Sequence, residues 1–125
     1  MTQSLAEVLR AAGEPTRLRI LNLLRQGSIC VCDLQAILEL PQSTVSRHLT
    51  ALRHADLVKD ERKGPRVMYS LSRGDTPQRE ALLEMLDKCA GFEESLRKDL
   101  EVMRGGAWQS ECPSEVDVEK KEATA

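Results

Sequence analysis

Pro41-Gln42-Ser43-Thr44-Val45-Ser46-Arg47-His48-Leu49-Thr50-Ala51-Leu52 is the stretch that decides the fold. Val45, Leu49 and Leu52 recur at helical spacing and make one apolar stripe, while Ser43, Arg47 and Thr50 fall on the opposite side. Pro41 biases Leu40 away from helical backbone and so marks a boundary. Just upstream, Asp33-Leu34-Gln35-Ala36-Ile37-Leu38 reads as a short helix and Glu39-Leu40-Pro41-Gln42 as the turn that follows it. Two helices joined by a tight turn, the second running from Ser43 to His54 with hydroxyls and an Arg outward, predict a helix-turn-helix.

The flanking chain fits that centre. Ser4 to Ala12 predicts a helix with Leu5, Val8, Leu9 and Ala12 on one face, stopped by Gly13. Pro15 suits the first position of a second helix, where its missing N–H costs nothing, and Leu18, Ile20, Leu21, Leu23 and Leu24 make that helix central to the core. Beyond His54, Leu57–Lys63 and Arg66–Leu71 alternate as strands around Gly64-Pro65, giving a hairpin with the basic tip Arg62-Lys63-Gly64-Pro65-Arg66. Thr76 and Pro77 open a last helix expected to run to about Arg104, with Leu82, Leu86, Cys89, Leu96, Leu100 and Met103 in one stripe. So much apolar length at the end of a small domain predicts pairing with a second copy.

The expected fold is therefore mainly α with a small β-hairpin: a winged helix-turn-helix of four helices, two strands and a final helix, dimerising through its terminal helices. Residues 1–104 form the DNA-binding and dimerisation domain. Residues 105–125, acidic and without periodicity, are expected to be a disordered tail.

Composition narrows the function. Phe, Tyr and Trp occur once each, so the core must be aliphatic. No run approaches the roughly 18–20 apolar residues that cross a bilayer, and no secretory signal opens the chain, so a cytoplasmic protein with reduced thiols and no membrane partner is expected. The net charge of −2 hides an asymmetry. The tail carries Glu111, Glu115, Asp117, Glu119 and Glu122 against Lys120 and Lys121, whereas residues 41–72 hold Arg47, Arg53, Lys59, Arg62, Lys63 and Arg66 against Asp56, Asp60 and Glu61. A locally basic segment in a near-neutral domain suits a DNA binder held by few phosphate contacts. No Ser/His/Asp arrangement, phosphate loop or Cys/His pair points to an enzyme.

Gln42, Ser43, Thr44 and Arg47 are the candidates for the major groove: Gln pairs with adenine, Arg with guanine or phosphate, and hydroxyls with either. His48, at the edge of the apolar face, is read as packed or touching phosphate. Arg62, Lys63 and Arg66 at the hairpin tip are expected to meet phosphate or minor groove.

The second constellation is Ser28-Ile29-Cys30-Val31-Cys32-Asp33-Leu34. Two thiols open the short helix, Cys30 at its N-cap and Cys32 at its second position. Residues i and i+2 of a regular helix diverge, so the two can share one ion only because Cys30 lies outside regular helix. Thiolate sulfur is the soft ligand that suits trivalent arsenic and antimony. Cys89 reads as core filler or as a ligand, and Cys112, beside Pro113, as a candidate third thiolate.

These features, together with Glu14-Pro15-Thr16-Arg17-Leu18-Arg19-Ile20-Leu21, resemble the ArsR/SmtB family of bacterial metalloregulatory repressors over about residues 3–104. The resemblance implies a homodimer that holds double-stranded operator DNA, an inverted repeat, when ligand-free and releases it when a metal or metalloid binds. Cys30-Val31-Cys32-Asp33-Leu34 resembles the arsenic- and antimony-responsive branch, which makes arsenite or antimonite the implied inducer. That branch has a further Cys where this chain has Gln35, so the third ligand is absent, exogenous or supplied from elsewhere. The zinc-sensing branch uses histidines on the last helix, and residues 76–104 contain none. The alternative is the same fold switched by a disulfide or polysulfide bridge, through Cys32 with Cys89 or Cys30 with Cys32.

Overall fold

The computed structural model describes residues 4–72 and 76–106. Helix α1 (Leu5–Ala12) starts at Ser4, whose hydroxyl accepts from the Glu7 backbone N–H while the Glu7 carboxylate accepts from Ser4, a reciprocal capping box. In α2 (Pro15–Leu24), Glu14 is the N-cap and Pro15 takes the first position. The chain then extends through strand β1 (Ile29–Cys30) into α3 (Val31–Leu38). Glu39 closes α3 in the left-handed region at φ 55°, and Pro41 caps α4 (Gln42–His54), so the helix-turn-helix bend occupies three residues. Strands β2 (Val58–Lys63) and β3 (Arg66–Leu71) form the hairpin, with Gly64 at φ 61° supplying the positive φ of its tight turn.

The core is aliphatic, as composition requires. Ile20, Leu21, Leu23 and Leu24 of α2 meet Leu34, Ile37 and Leu38 of α3 and Val45, Leu49 and Leu52 of α4. Each such side chain contributes roughly 1.5–3 kcal/mol when fully buried.

Three expectations change. First, the sheet has three strands in the order β1-β3-β2, because Ile29 pairs with Tyr69 and Cys30 with Met68. The two-residue segment ahead of the thiol helix is too short to announce itself as a strand.

Second, the predicted last helix is two: α5 (Pro77–Cys89) and α6 (Glu94–Gly105). The chain turns at 90–93, where the Phe92 and Glu93 N–H groups both donate to the Cys89 carbonyl. Helix α6 folds back onto α2 and α3, so Leu96 and Leu100 are buried within the chain rather than left for a partner. Polar contacts fix it there. Arg19 of α2 donates to both carboxylate oxygens of Asp99, at 2.8 and 3.0 Å, and the Asn22 amide donates to the Leu96 carbonyl at 3.1 Å.

Third, burial redistributes along the stripes. Cys89, expected in the core, is exposed. In α1 the buried residues are Val8, Ala11 and Ala12, whereas Leu5 and Leu9 remain 59% and 50% exposed. Met85 of α5 is also exposed. The acidic tail expected at 105–125 lies outside the described residues, except Gly105 and Gly106, which end α6.

Candidate sensing and DNA-reading site

Cys30 is the N-cap of α3, with Cys32 at the second helical position and Asp33 at the third. The Cys30 Sγ replaces the usual capping oxygen and accepts from the Asp33 backbone N–H at 3.4 Å. It is fully buried, and a second donor reaches it: the Arg66 guanidinium Nη2, at 2.8 Å. The same Nη2 lies 2.8 Å from the Asp33 carboxylate. The sheet register explains the meeting. Residues 66 and 68 share a face of β3, and Met68 lies directly opposite Cys30, so Arg66 is the diagonal neighbour of the thiol, within reach of a long side chain.

This placement separates Arg66 from the other wing-tip cations. Arg62 and Lys63 are exposed near the turn, as groups that meet phosphate would be. Arg66, read from sequence as their companion, turns inward against α3, its side chain only 11% exposed. Its alternation along the strand pointed this way, but without β1 there was nothing for it to point at.

Cys32 is half-buried and disulfide-bonded. Cys30 and Cys89 are both free thiols, so neither of the pairings anticipated from sequence, Cys32 with Cys89 or Cys30 with Cys32, is the one formed. Cys89 ends α5, which packs on α1 and α2. Cys112 lies outside the described residues. Among the described residues no three His, Cys, Asp or Glu side chains cluster as a metal site. The mouth of α3 thus carries two sulfurs, that of Cys30 buried and free and that of Cys32 half-buried and bonded.

One bend away, α4 presents Gln42, Ser43 and Arg47 to solvent, with Thr44 half-buried beside them. The Thr50 hydroxyl donates to the Ser46 carbonyl at 2.9 Å, which occupies it within the helix. Of the two placements expected for His48, packed or touching phosphate, it takes the packed one. It is buried, and its Nδ1 accepts from Arg17 Nε at 3.2 Å, with Glu14 Oε2 3.6 Å away. Burial pushes its pKa below the ordinary 6.5, Glu14 opposes this, and Arg17 and Arg47 reinforce it. His48 therefore braces the recognition helix from behind. The Glu14-to-Arg19 segment is accounted for in the same way: Glu14 caps α2, Arg17 ties α4 and the Ala11 carbonyl to it, and Arg19 holds α6.

No helix among the described residues is long and apolar enough to cross a membrane. The sequence profile of the family described as "Bacterial regulatory protein, arsR family" matches residues 14–60. A transcriptional repressor SmtB homolog of Synechocystis is 43% identical over 70 residues, which is 56% of this chain and 53% of that one. An arsenic resistance transcriptional regulator of Pseudomonas putida is 45% identical over 65 residues, 51% of each chain. The chain thus spans about half the length of these two relatives. Among solved structures, the homodimeric winged helix-turn-helix DNA-binding domain of a possible ArsR-family transcriptional regulator from Mycobacterium bovis superposes with a TM-score of 0.58. It is 31% identical and covers 67% of this chain and 78% of that one.

Proposed function

From the premise that this chain belongs to the ArsR family of bacterial transcriptional regulators, which are DNA-binding proteins and not enzymes, we propose that it is a homodimeric repressor that releases its operator when trivalent arsenic or antimony binds Cys30 and Cys32. The observation that carries this reading is the position of Cys30 at the N-cap of α3, one three-residue bend from the recognition helix α4. Relatives named as arsenical resistance repressors support the choice of inducer.

Arsenite condenses with each thiol: an As–S bond forms, an As–O bond breaks, and the hydroxide leaves with the thiol proton as water. No electron is transferred. Closing Cys30 and Cys32 onto one atom draws in the first turn of α3, which moves the bend at Glu39–Pro41 and with it Gln42, Ser43, Thr44 and Arg47. Couplings of this kind are typically worth ~1–3 kcal/mol, or roughly 5–150-fold in operator affinity. A two-fold dimer sets its recognition helices ~34–36 Å apart, one DNA turn, on an inverted repeat. The exposed Leu5 and Leu9 of α1 and Met85 of α5, on helices packed against each other, supply an apolar face for the second copy.

The test is operator release from the reduced protein, titrated in parallel with arsenite, antimonite, cadmium, zinc and peroxide on wild type and each Cys→Ser variant. Release by arsenite at low concentration that is lost in Cys30→Ser/Cys32→Ser supports the mechanism. A double variant that still lets go of DNA on adding arsenite ends it.

The disulfide of Cys32 favours a second reading, in which oxidation is the signal. Release driven by peroxide, reversed by dithiothreitol and indifferent to metalloids, would select it.

A further inference from the structure

The cluster of Arg66, Cys30 and Asp33 joins two parts of the fold that the coupling through the helix-turn-helix bend does not. Arg66 is the first residue of β3, paired across the hairpin with Lys63, and its guanidinium is anchored on α3. We propose that Arg66 is a positioning residue that latches the wing to the thiol helix while Cys30 is unoccupied, and that a thiophilic atom bonding to Cys30 displaces it and frees the wing. This rests on the reading that Cys30 takes such a ligand.

The geometry around the sulfur leaves little choice about what moves. Cys30 is 0% exposed, and among the described residues its hydrogen-bond donors are the Asp33 N–H at 3.4 Å and Arg66 Nη2 at 2.8 Å. An added atom on Sγ needs space and one of the sulfur lone pairs. The Asp33 N–H is built into the first turn of α3 and yields only if the helix unwinds. Arg66 sits on a flexible stem and yields by rotation. Because one nitrogen serves both the sulfur and the Asp33 carboxylate, losing the first contact disturbs the second. Val58, Tyr69 and Leu71 pack the base of the hairpin on the core, whereas nearer the tip the ion pair of Arg53 with Asp60, at 3.2 Å, lies in solvent, where such pairs hold weakly. With the Arg66 latch open, the tip bearing Arg62 and Lys63 loses its fixed angle to α4, and the two DNA-contacting elements no longer fit one operator together.

Two readouts on the full-length chain test this. The first is the ratio of operator Kd with and without arsenite, for wild type, Arg66→Gln and Arg66→Lys. Arg66→Gln is expected to bind operator more weakly than wild type without arsenite, so its ratio falls below that of wild type, to the part carried by the bend alone. Arg66→Lys, which keeps the charge on a compact ammonium rather than a planar guanidinium, is expected to fall between. A residue that only touched phosphate would weaken both states equally and leave the ratio unchanged, which would overturn the latch.

The second readout needs no arsenite. In a chain with Cys32, Cys89 and Cys112 replaced by Ser, the mercurial p-hydroxymercuribenzoate reports access to Cys30, forming an Hg–S bond as hydroxide leaves with the thiol proton. Removing Arg66 is expected to speed this reaction roughly tenfold or more, the equivalent of one lost hydrogen bond to a charged group. Unchanged rates in Arg66→Gln overturn the proposal. Asp33→Asn weakens the latch from the other side with Arg66 intact, and it should shift both readouts in the same direction. If arsenite fails to release wild type while mercuration of Cys30 releases wild type but leaves the already weak Arg66→Gln complex unaltered, the inducer reading falls and the latch stands.

Discussion

Arg19 on α2 and Asp99 on α6 meet through two parallel hydrogen bonds, 2.8 and 3.0 Å long, with Asp99 only 3% exposed. The fork holds α6 against α2 after the turn at 90–93 has folded it back. The partnership with Asp99 also raises the Arg19 pKa above its ordinary value, against the opposing pull of burial. Replacing Asp99 with Ala leaves a partly buried guanidinium without its partner. The expected loss is about 3 kcal/mol, toward the lower end for a broken buried pair because Arg19 keeps some contact with water. A denaturant midpoint that falls with an unchanged slope is the measurement, and a midpoint equal to wild type refutes the role given to the pair.

His48 makes stability depend on pH. Its folded pKa lies below the ordinary 6.5, so between those two values the unfolded chain binds more protons than the folded one. The contribution is complete above about pH 6.5 and is lost as pH falls below it toward the lowered value. Protonation also removes the lone pair that accepts from Arg17 Nε. Thermal unfolding of wild type across pH 5 to 8 should show this decline relative to His48→Gln. Parallel curves for the two proteins count against it.

The face of α1 offers a test of assembly. Leu5→Glu with Leu9→Glu places two carboxylates on positions that are half exposed in the single chain, so folding should survive. Sedimentation is expected to change from dimer to monomer, and operator affinity to fall by orders of magnitude as one half-site is lost. A dimer that persists would move the interface elsewhere.

On the DNA side, Arg47→Ala should cost about 1–3 kcal/mol of operator binding and relax the sequence preference at one position in each half-site. Arg62→Ala should weaken all sequences alike and reduce the salt slope by about two, one for each subunit of the dimer. Equal behaviour of the two variants would show that α4 and the wing do not divide base and phosphate contacts between them.

Much of this architecture was legible along the chain. The Val45, Leu49 and Leu52 stripe, the Pro41 boundary, the capping roles of Thr76 and Pro77 and the alternation of 66–71 each express a local rule, and each element formed where that rule put it. Cys30 as N-cap and Cys32 at the second position followed from the same kind of reasoning. What was not legible depended on distant partners. The β1 strand exists because β3 lies beside it, and two residues carry no period to detect. The α5–α6 turn was hidden because Leu82, Leu86, Leu96 and Leu100 keep helical spacing across it, although Gly91 marked the place. Once α6 folds back, the apolar surplus that suggested a long dimer helix shrinks to Leu5, Leu9, Met85 and Phe92. Along the chain Arg66 reads as an exposed cation and His48 as either packed or touching phosphate; only the distant partners Cys30, Asp33 and Arg17 decide their places.

The pairing of Ile29 and Cys30 with Met68 and Tyr69 has a consequence for anyone who would re-engineer this chain. Wings are attractive modules to exchange when a new target sequence is wanted. Here the hairpin and the thiol helix are one interlocked part, because the strand that carries the tip is also the wall against which Cys30 rests. A transplanted wing must bring its own counterpart to Arg66, matched to Asp33. Under the latch proposed above, a hybrid without that counterpart would hold its new site weakly whether or not Cys30 carries a ligand.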